Sequence, residues 1–307
     1  SYLCIQGLGD GPWSSEERAS ILCPVPGYDR HFVLSEHLGL NMIPVPLNGQ
    51  GPDLDIIRSF VESDDSIRGI WCVPKHSNPT GEIYSKATIE GLIDIFSKTE
   101  KNSRIFWDNA YAIHDFKDSI PLEDIFSLAK DIDALDSIVA FASTSKMTYA
   151  GSGIGFLALS KFNLDLFLKH YLALIIGPDK VNQAKHVKFF KKNGGVISHM
   201  KKHAEILKPK FELVDSWLSK QDYGSWTKPT GGYFVSFTSQ EGLAKEIINL
   251  ASGLGLKLTP AGATFPYGVD PKDNIIRLAP TACNIKELDT AMEIFVCCVA
   301  LATLRNH

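Results

Sequence analysis

Lys146 is the residue in this chain best placed to do chemistry. It sits in the run Ser143-Thr144-Ser145-Lys146 and is followed by Gly151-Ser152-Gly153, between two apolar segments, 138–142 and 155–159, that both read as core strands. A lysine held there is partly desolvated. Burial disfavours its charged form, lowers its pKa and leaves the amine nucleophilic, which is what condensation with an aldehyde requires. The plain alternative is a loop lysine at a strand end. Three other polar signals follow apolar runs in the same way. Tyr28 comes after 21–25, Asn78-Pro79-Thr80-Gly81 after 67–73, and Asp108-Asn109-Ala110-Tyr111 after 104–107. Alone, Asn-Pro-Thr-Gly fits a turn and Asp108 fits a helix cap. Ligands of open parallel sheets bind beyond the carboxyl ends of the strands, so four such signals at one edge point to a site.

The elements that must position these groups alternate along the first half of the chain. Short apolar strands are expected at 21–25, 42–47, 67–73, 104–107 and 138–142. Between them lie helical patterns, with Asp53 and Ser85 as N-caps and Gly39 as a C-terminal stop. This alternation predicts crossover units and a three-layer, mostly parallel α/β sheet with helices on both faces. Residues 1–20 read as irregular. After 159 the texture changes to long helical patterns at 162–176 and 181–218. Strands at 233–237, 256–259 and 275–278, a helix at 241–252 and a terminal helix from Asn284 follow. That is a smaller α+β unit. We place the division inside the long helical stretch, giving a large domain over 1–200 and a small C-terminal domain over 201–307.

Composition narrows the function. The chain has 307 residues, 44% hydrophobic and 21% charged, with a formal net charge of -4. That balance fits a globular protein and argues against nucleic-acid binding; the lysines at 188–202 read as a solvated helix face. The apolar runs are too short or too interrupted for a membrane span. The six cysteines are scattered without Cys-x-x-Cys spacing, and no histidine cluster has ligand spacing. Metal is therefore not expected, and the cysteines read as reduced core residues of a cytoplasmic protein.

Taken together, Tyr28-Asp29-Arg30-His31-Phe32, the 69–81 run ending in Asn-Pro-Thr-Gly, Trp107-Asp108-Asn109-Ala110-Tyr111, Ser143-Thr144-Ser145-Lys146 and Arg277-Leu278-Ala279-Pro280-Thr281 resemble fold-type I pyridoxal-phosphate enzymes of the class I/II aminotransferases. More narrowly they resemble a MocR-like aspartate aminotransferase branch. The resemblance implies pyridoxal 5′-phosphate as cofactor, bound covalently by Lys146, whose freed amine then moves the Cα proton. Asp108 would pair with the pyridine nitrogen, Asn78 and Tyr111 would donate to the ring's phenolic oxygen, and Tyr28 would stack on its face. Ser143 and Ser145 would hold the phosphate and Arg277 the substrate's α-carboxylate. Aspartate or glutamate with a 2-oxo acid is the implied substrate pair, and a homodimer the implied assembly. Arg30 and Lys75 are candidates for reading a second carboxylate, by location only.

Two departures stand out. The arginine usual after the lysine is absent from 151–155, leaving Ser152 as a substitute. The family also has further N-terminal sequence that cups the phosphate, so the chain is expected to be N-terminally incomplete. A lyase or decarboxylase, an aminotransferase-like regulator and a truncated inactive homologue are the alternatives. Asn78–Pro79 is expected to be a cis bond, since X–Pro is where that isomer costs little.

Overall fold

The computed structural model describes residues 1–8, 11–15, 18–99, 103–117 and 120–306. Its larger sheet has strands β1 (Ser20–Val25), β2 (Asn41–Pro46), β3 (Ile67–Cys72), β4 (Arg104–Asp108), β5 (Ile138–Ser143) and β6 (Gly155–Ala158), in the order β2-β1-β3-β4-β5-β6. The first five are parallel and β6 runs antiparallel to β5. The helices are α1 (Tyr2–Ile5), α2 (Asp29–His37), α3 (Leu54–Ser63), α4 (Lys86–Ser97), α5 (Ile125–Lys130), α6 (Lys161–Leu174), α7 (Lys180–Lys192), α8 (Gly195–Leu218), α9 (Ala244–Gly253) and α10 (Ile285–Arg305).

Strand side chains alternate between two cores, as the pleat demands. Ile70 and Cys72 of β3, Ile105 and Trp107 of β4, and Ile138 and Ala140 of β5 pack on one face with Ile57, Ile89, Leu92 and Phe96 from α3 and α4. Trp71, Phe106 and Val139 turn to the other face with Ile21, Phe32 and Phe167 from β1, α2 and α6. Burial on both faces is why these strands are continuous apolar runs. The caps hold as expected: Asp53 accepts from the amides of Asp55 and Ile56, and Ser85 from that of Thr88.

The smaller sheet, β7 (Gly224–Trp226), β8 (Val235–Ser239) and β9 (Ile275–Leu278), is antiparallel in the order β7-β8-β9. Phe237 and Ile276 pack there against Val214 and Leu218 of α8, Ile247 of α9 and Phe295 and Val299 of α10. Asn284 and Glu287 close a reciprocal capping box at the start of α10. The architecture is thus a large mixed sheet flanked by helices with a smaller C-terminal α+β sheet.

Several sequence expectations need correcting. The segment expected at 155–159 as a second core strand is an exposed edge strand, with Phe156 55% accessible. The pattern at 181–218 is two helices, because Gly194 and Gly195 take φ of 77° and 93° and break the helical path. No strand forms at 256–259: Leu256 and Leu258 pack on the small core without a ladder partner. The strand expected at 233–237 starts two residues later, at Val235, and the short β7 is additional. The N-terminal stretch carries the four-residue helix α1. Among the described residues, no helix is long and apolar enough to cross a membrane.

Candidate active site

The carboxyl edge of the larger sheet gathers the expected residues. Tyr28 caps α2 just after β1, Asn78 lies in the loop after β3, Asp108 ends β4 and Ser143 ends β5, with Lys146 in the turn beyond. The Lys146 ammonium lies 4.7 Å from the centre of the Tyr111 ring and 5.8 Å from that of Tyr28. Burial pushes the Lys146 pKa down, and Asp108 partly opposes the shift by attraction. The phenols of Tyr111 and Tyr28 are pushed up, first by burial and then by neighbouring acids and phenols. Lys146 thus lies against two aromatic rings and within electrostatic reach of Asp108.

His31 is a site residue that the sequence reading missed. Its Nε2 is 2.9 Å from Asp108 Oδ2, and its ring stacks on Trp71 at 4.1 Å and 8°. Tyr28 meets the same ring edge-on at 5.0 Å. The signal was the three-residue spacing Tyr28…His31 at a helix start, which puts both on one face.

Arg277, on β9 of the smaller sheet, reaches across to the same edge. Its Nε donates to Thr259 Oγ1 at 3.2 Å, and its Nη1 to Asp29 Oδ1 at 3.0 Å and Asn78 Oδ1 at 3.3 Å. The guanidinium lies 5.1 Å from the Phe234 ring centre. Because Asn78 spends its carbonyl oxygen on Arg277, its NH₂ is left to donate on its other side. Of the two side-chain-reading candidates, Lys75 is engaged elsewhere. It is 3% exposed and bonds Asp115 Oδ2 at 2.8 Å and the Ala112 carbonyl at 2.9 Å. His76 takes the other oxygen of Asp115 at 3.0 Å. A lysine so buried and paired ties loops together and is not free to read a substrate. Arg30 is exposed beside Tyr28.

The lysine turn is braced from behind. The Tyr233 hydroxyl donates to the Lys146 carbonyl at 2.6 Å and pairs with His203 Nε2 at 3.1 Å. His199 bonds the Met147 carbonyl at 2.7 Å, His186 bonds Thr148 at 2.9 Å, and Asn182 donates to the Ser152 carbonyl at 2.9 Å. Ser143 Oγ donates to Ser145 Oγ at 2.9 Å and accepts from the Ser145 amide at 3.0 Å. Gly153 lies against this pair so closely that a Cβ there would overlap Ser145 Oγ. Ser152 is exposed. Asn78–Pro79 is cis, as is Val25–Pro26.

The donor set fits pyridoxal phosphate: a desolvated amine, an acid already oriented by a histidine, an amide with a free NH₂, two aromatic rings and a hydroxyl pair. The model of the aspartate amino-transferase family matches residues 2–307. The chain belongs to the aspartate aminotransferase family. Family membership makes it a fold-type I, pyridoxal-phosphate-dependent aminotransferase. An aspartate aminotransferase of Corynebacterium glutamicum is 40% identical over 314 residues, covering 100% of this chain and 72% of that protein. The crystal structure of an aspartate transaminase from that organism superposes with a TM-score of 0.93 at 39% identity, over 99% of this chain and 73% of that one. The HTH-type transcriptional regulator NorG of Staphylococcus aureus is 26% identical over 220 residues, or 71% of this chain and 47% of that protein.

Proposed function

We propose that this family member transfers the amino group of aspartate or glutamate to a 2-oxo acid, using Lys146 as the cofactor-binding and proton-moving residue. The observation that carries the reading is the grouping of Lys146, Asp108, Tyr111 and Asn78 with Arg277 at one sheet edge, joined by the Arg277–Asn78 bond. Bound pyridoxal phosphate supplies a protonated ring into which the electrons of a broken Cα–H bond can spread. The residues do the rest. The depressed pKa of Lys146 keeps a share of its amine neutral and able to accept and return a proton. Asp108, held by His31 at 2.9 Å, would pair with the ring nitrogen. Asn78 and Tyr111 would donate to the ring's phenolic oxygen. Ser143 and Ser145 would hold the phosphate through their paired hydroxyls. Arg277 offers a planar fork to the α-carboxylate.

Arg277 lies on the smaller sheet and Asn78 in a loop of the larger one, so the site needs both units, which we divide at 1–200 and 201–307. The proposed working form is a cytoplasmic homodimer, and a monomeric mass in solution would count against that part. The motif set carries the narrower MocR-like placement. The similarity to a transcriptional regulator keeps a ligand-sensing role as the second reading, which a DNA-shift assay tests. The direct experiment supplies pyridoxal phosphate and aspartate with or without 2-oxoglutarate. Oxaloacetate and glutamate formed only with the acceptor support transfer. Product beyond one equivalent per site without an acceptor indicates a lyase or decarboxylase, since transfer then stops once the cofactor has taken up the amino group.

A further inference from the structure

Arg277 carries five N–H groups, and three are already engaged: Nε with Thr259, and both hydrogens of Nη1 with Asp29 and Asn78. A carboxylate taken in two-pronged fashion needs Nη2 and one neighbour. Taking Nη1 would mean breaking the salt bridge to Asp29 at 3.0 Å, while taking Nε displaces only a hydroxyl at 3.2 Å. The incoming carboxylate therefore docks on the Nε–Nη2 edge with Asp29 still in place. The Asp29 side chain keeps 31% of its surface exposed beside an Arg277 that keeps 10%. One guanidinium then faces two carboxylates.

We propose that Asp29 is a specificity-determining residue that biases the site toward the amino-acid zwitterion and against the oxo acid of the same skeleton. This rests on the aminotransferase reading above. Both ligands bring a carboxylate that Asp29 repels. Only the amino acid also brings an ammonium within a few ångströms, and Asp29 attracts it. The two effects largely cancel for the zwitterion and leave net repulsion for the oxo acid. Asp29 has a second role at the first position of α2, where an acid favours the helix start. Losing that role lowers stability without separating the two ligand classes.

The test measures dissociation constants on the full chain loaded with pyridoxal phosphate and then reduced with borohydride, so that no ligand amine can condense with the aldehyde and both ligands bind non-covalently. One ligand is 2-methylaspartate, a zwitterion with no Cα hydrogen. The other is succinate, which has the carboxylates without the ammonium. Asp29→Asn and Asp29→Ser, each verified as folded by circular dichroism, should tighten succinate on the order of fivefold and leave 2-methylaspartate within about twofold. Equal shifts for both ligands, in either direction, or no shift for either, overturn the inference. Arg277→Lys separates the two levels. If it weakens both ligands, the carboxylate site stands and the Asp29 result is decisive. If it changes neither, the reading of Arg277 fails and the inference falls with it.

Discussion

His31 Nε2 stands 2.9 Å from Asp108 Oδ2 while Trp71 holds the imidazole plane at 4.1 Å. The acid at the end of β4 is thus fixed by a histidine from α2 and a tryptophan from β3. Charge-assisted hydrogen bonds of this kind contribute roughly 1.5–3 kcal/mol. His31→Ala should therefore cut kcat by about tenfold to a hundredfold, with a smaller change in KM. Steady-state kinetics at saturating cofactor checks it; unchanged kcat would show that Asp108 needs no help.

Tyr233 should act through the backbone of Lys146. Burial pushes its phenol up to about 12, so it stays a donor to the Lys146 carbonyl across the working range. Tyr233→Phe removes that donor and the partner of His203. The expected loss is about fivefold in kcat, from one hydrogen bond of ~1 kcal/mol. The ionisation of the cofactor's visible band should shift with it. A variant with a wild-type band and kcat would remove Tyr233 from the account.

Gly153→Ala forces Ser145 to move, since the added carbon overlaps its hydroxyl. The Ser143–Ser145 pair then opens, and the affinity for pyridoxal phosphate should fall at least about tenfold, as one charge-assisted bond is lost. Equilibrium titration of the apo form measures this. Unchanged affinity would place the phosphate elsewhere.

Asp115 binds Lys75 and His76 at once in a nearly sealed pocket. Asp115→Asn leaves the lysine charge without a counter-ion, which costs about 3–5 kcal/mol for a buried pair. The cluster also joins the Asn78 loop to the small-sheet approach, where Asp115 bridges Gly231. Thermal unfolding should show a fall of several degrees or more.

Acid should destabilise the fold through His114. Burial, reinforced by nearby His203, pushes its imidazole down from 6.5 to about 3. The unfolded chain takes up a proton near pH 6.5, and the folded chain does not until about pH 3. Stability from this group is level above pH 6.5 and is lost as pH falls from there toward 3, at up to ~1.4 kcal/mol per pH unit. Replacing His114 by Phe should flatten that part of the curve, measured by urea unfolding across the window.

The strands were legible because β1, β3, β4 and β5 bury both faces, which writes continuous apolar runs into the sequence. The placement of the candidate site residues at one sheet edge was legible for the same reason: the strand ends give their positions. What stayed hidden depends on tertiary partners. β6 has an apolar sequence yet forms an open edge, and 256–259 has strand-like alternation yet no neighbour to pair with. The Gly194–Gly195 break carried a signal in its paired glycines. Asp29, Asp115 and Tyr233 are separated by long stretches from Arg277, Lys75 and Lys146, which they touch, so no local pattern announces them; His31 had only its three-residue spacing from Tyr28 to mark it. Lys75 misled because a position next to a motif says nothing about where a side chain turns.

The most direct measurement treats the full chain with pyridoxal phosphate, reduces it with borohydride to fix the cofactor to whichever amine holds it, and maps the labelled peptide by mass spectrometry. The account predicts one label, on Lys146, absent from Lys146→Ala. A label on another lysine, or none on the folded wild-type chain, would contradict it.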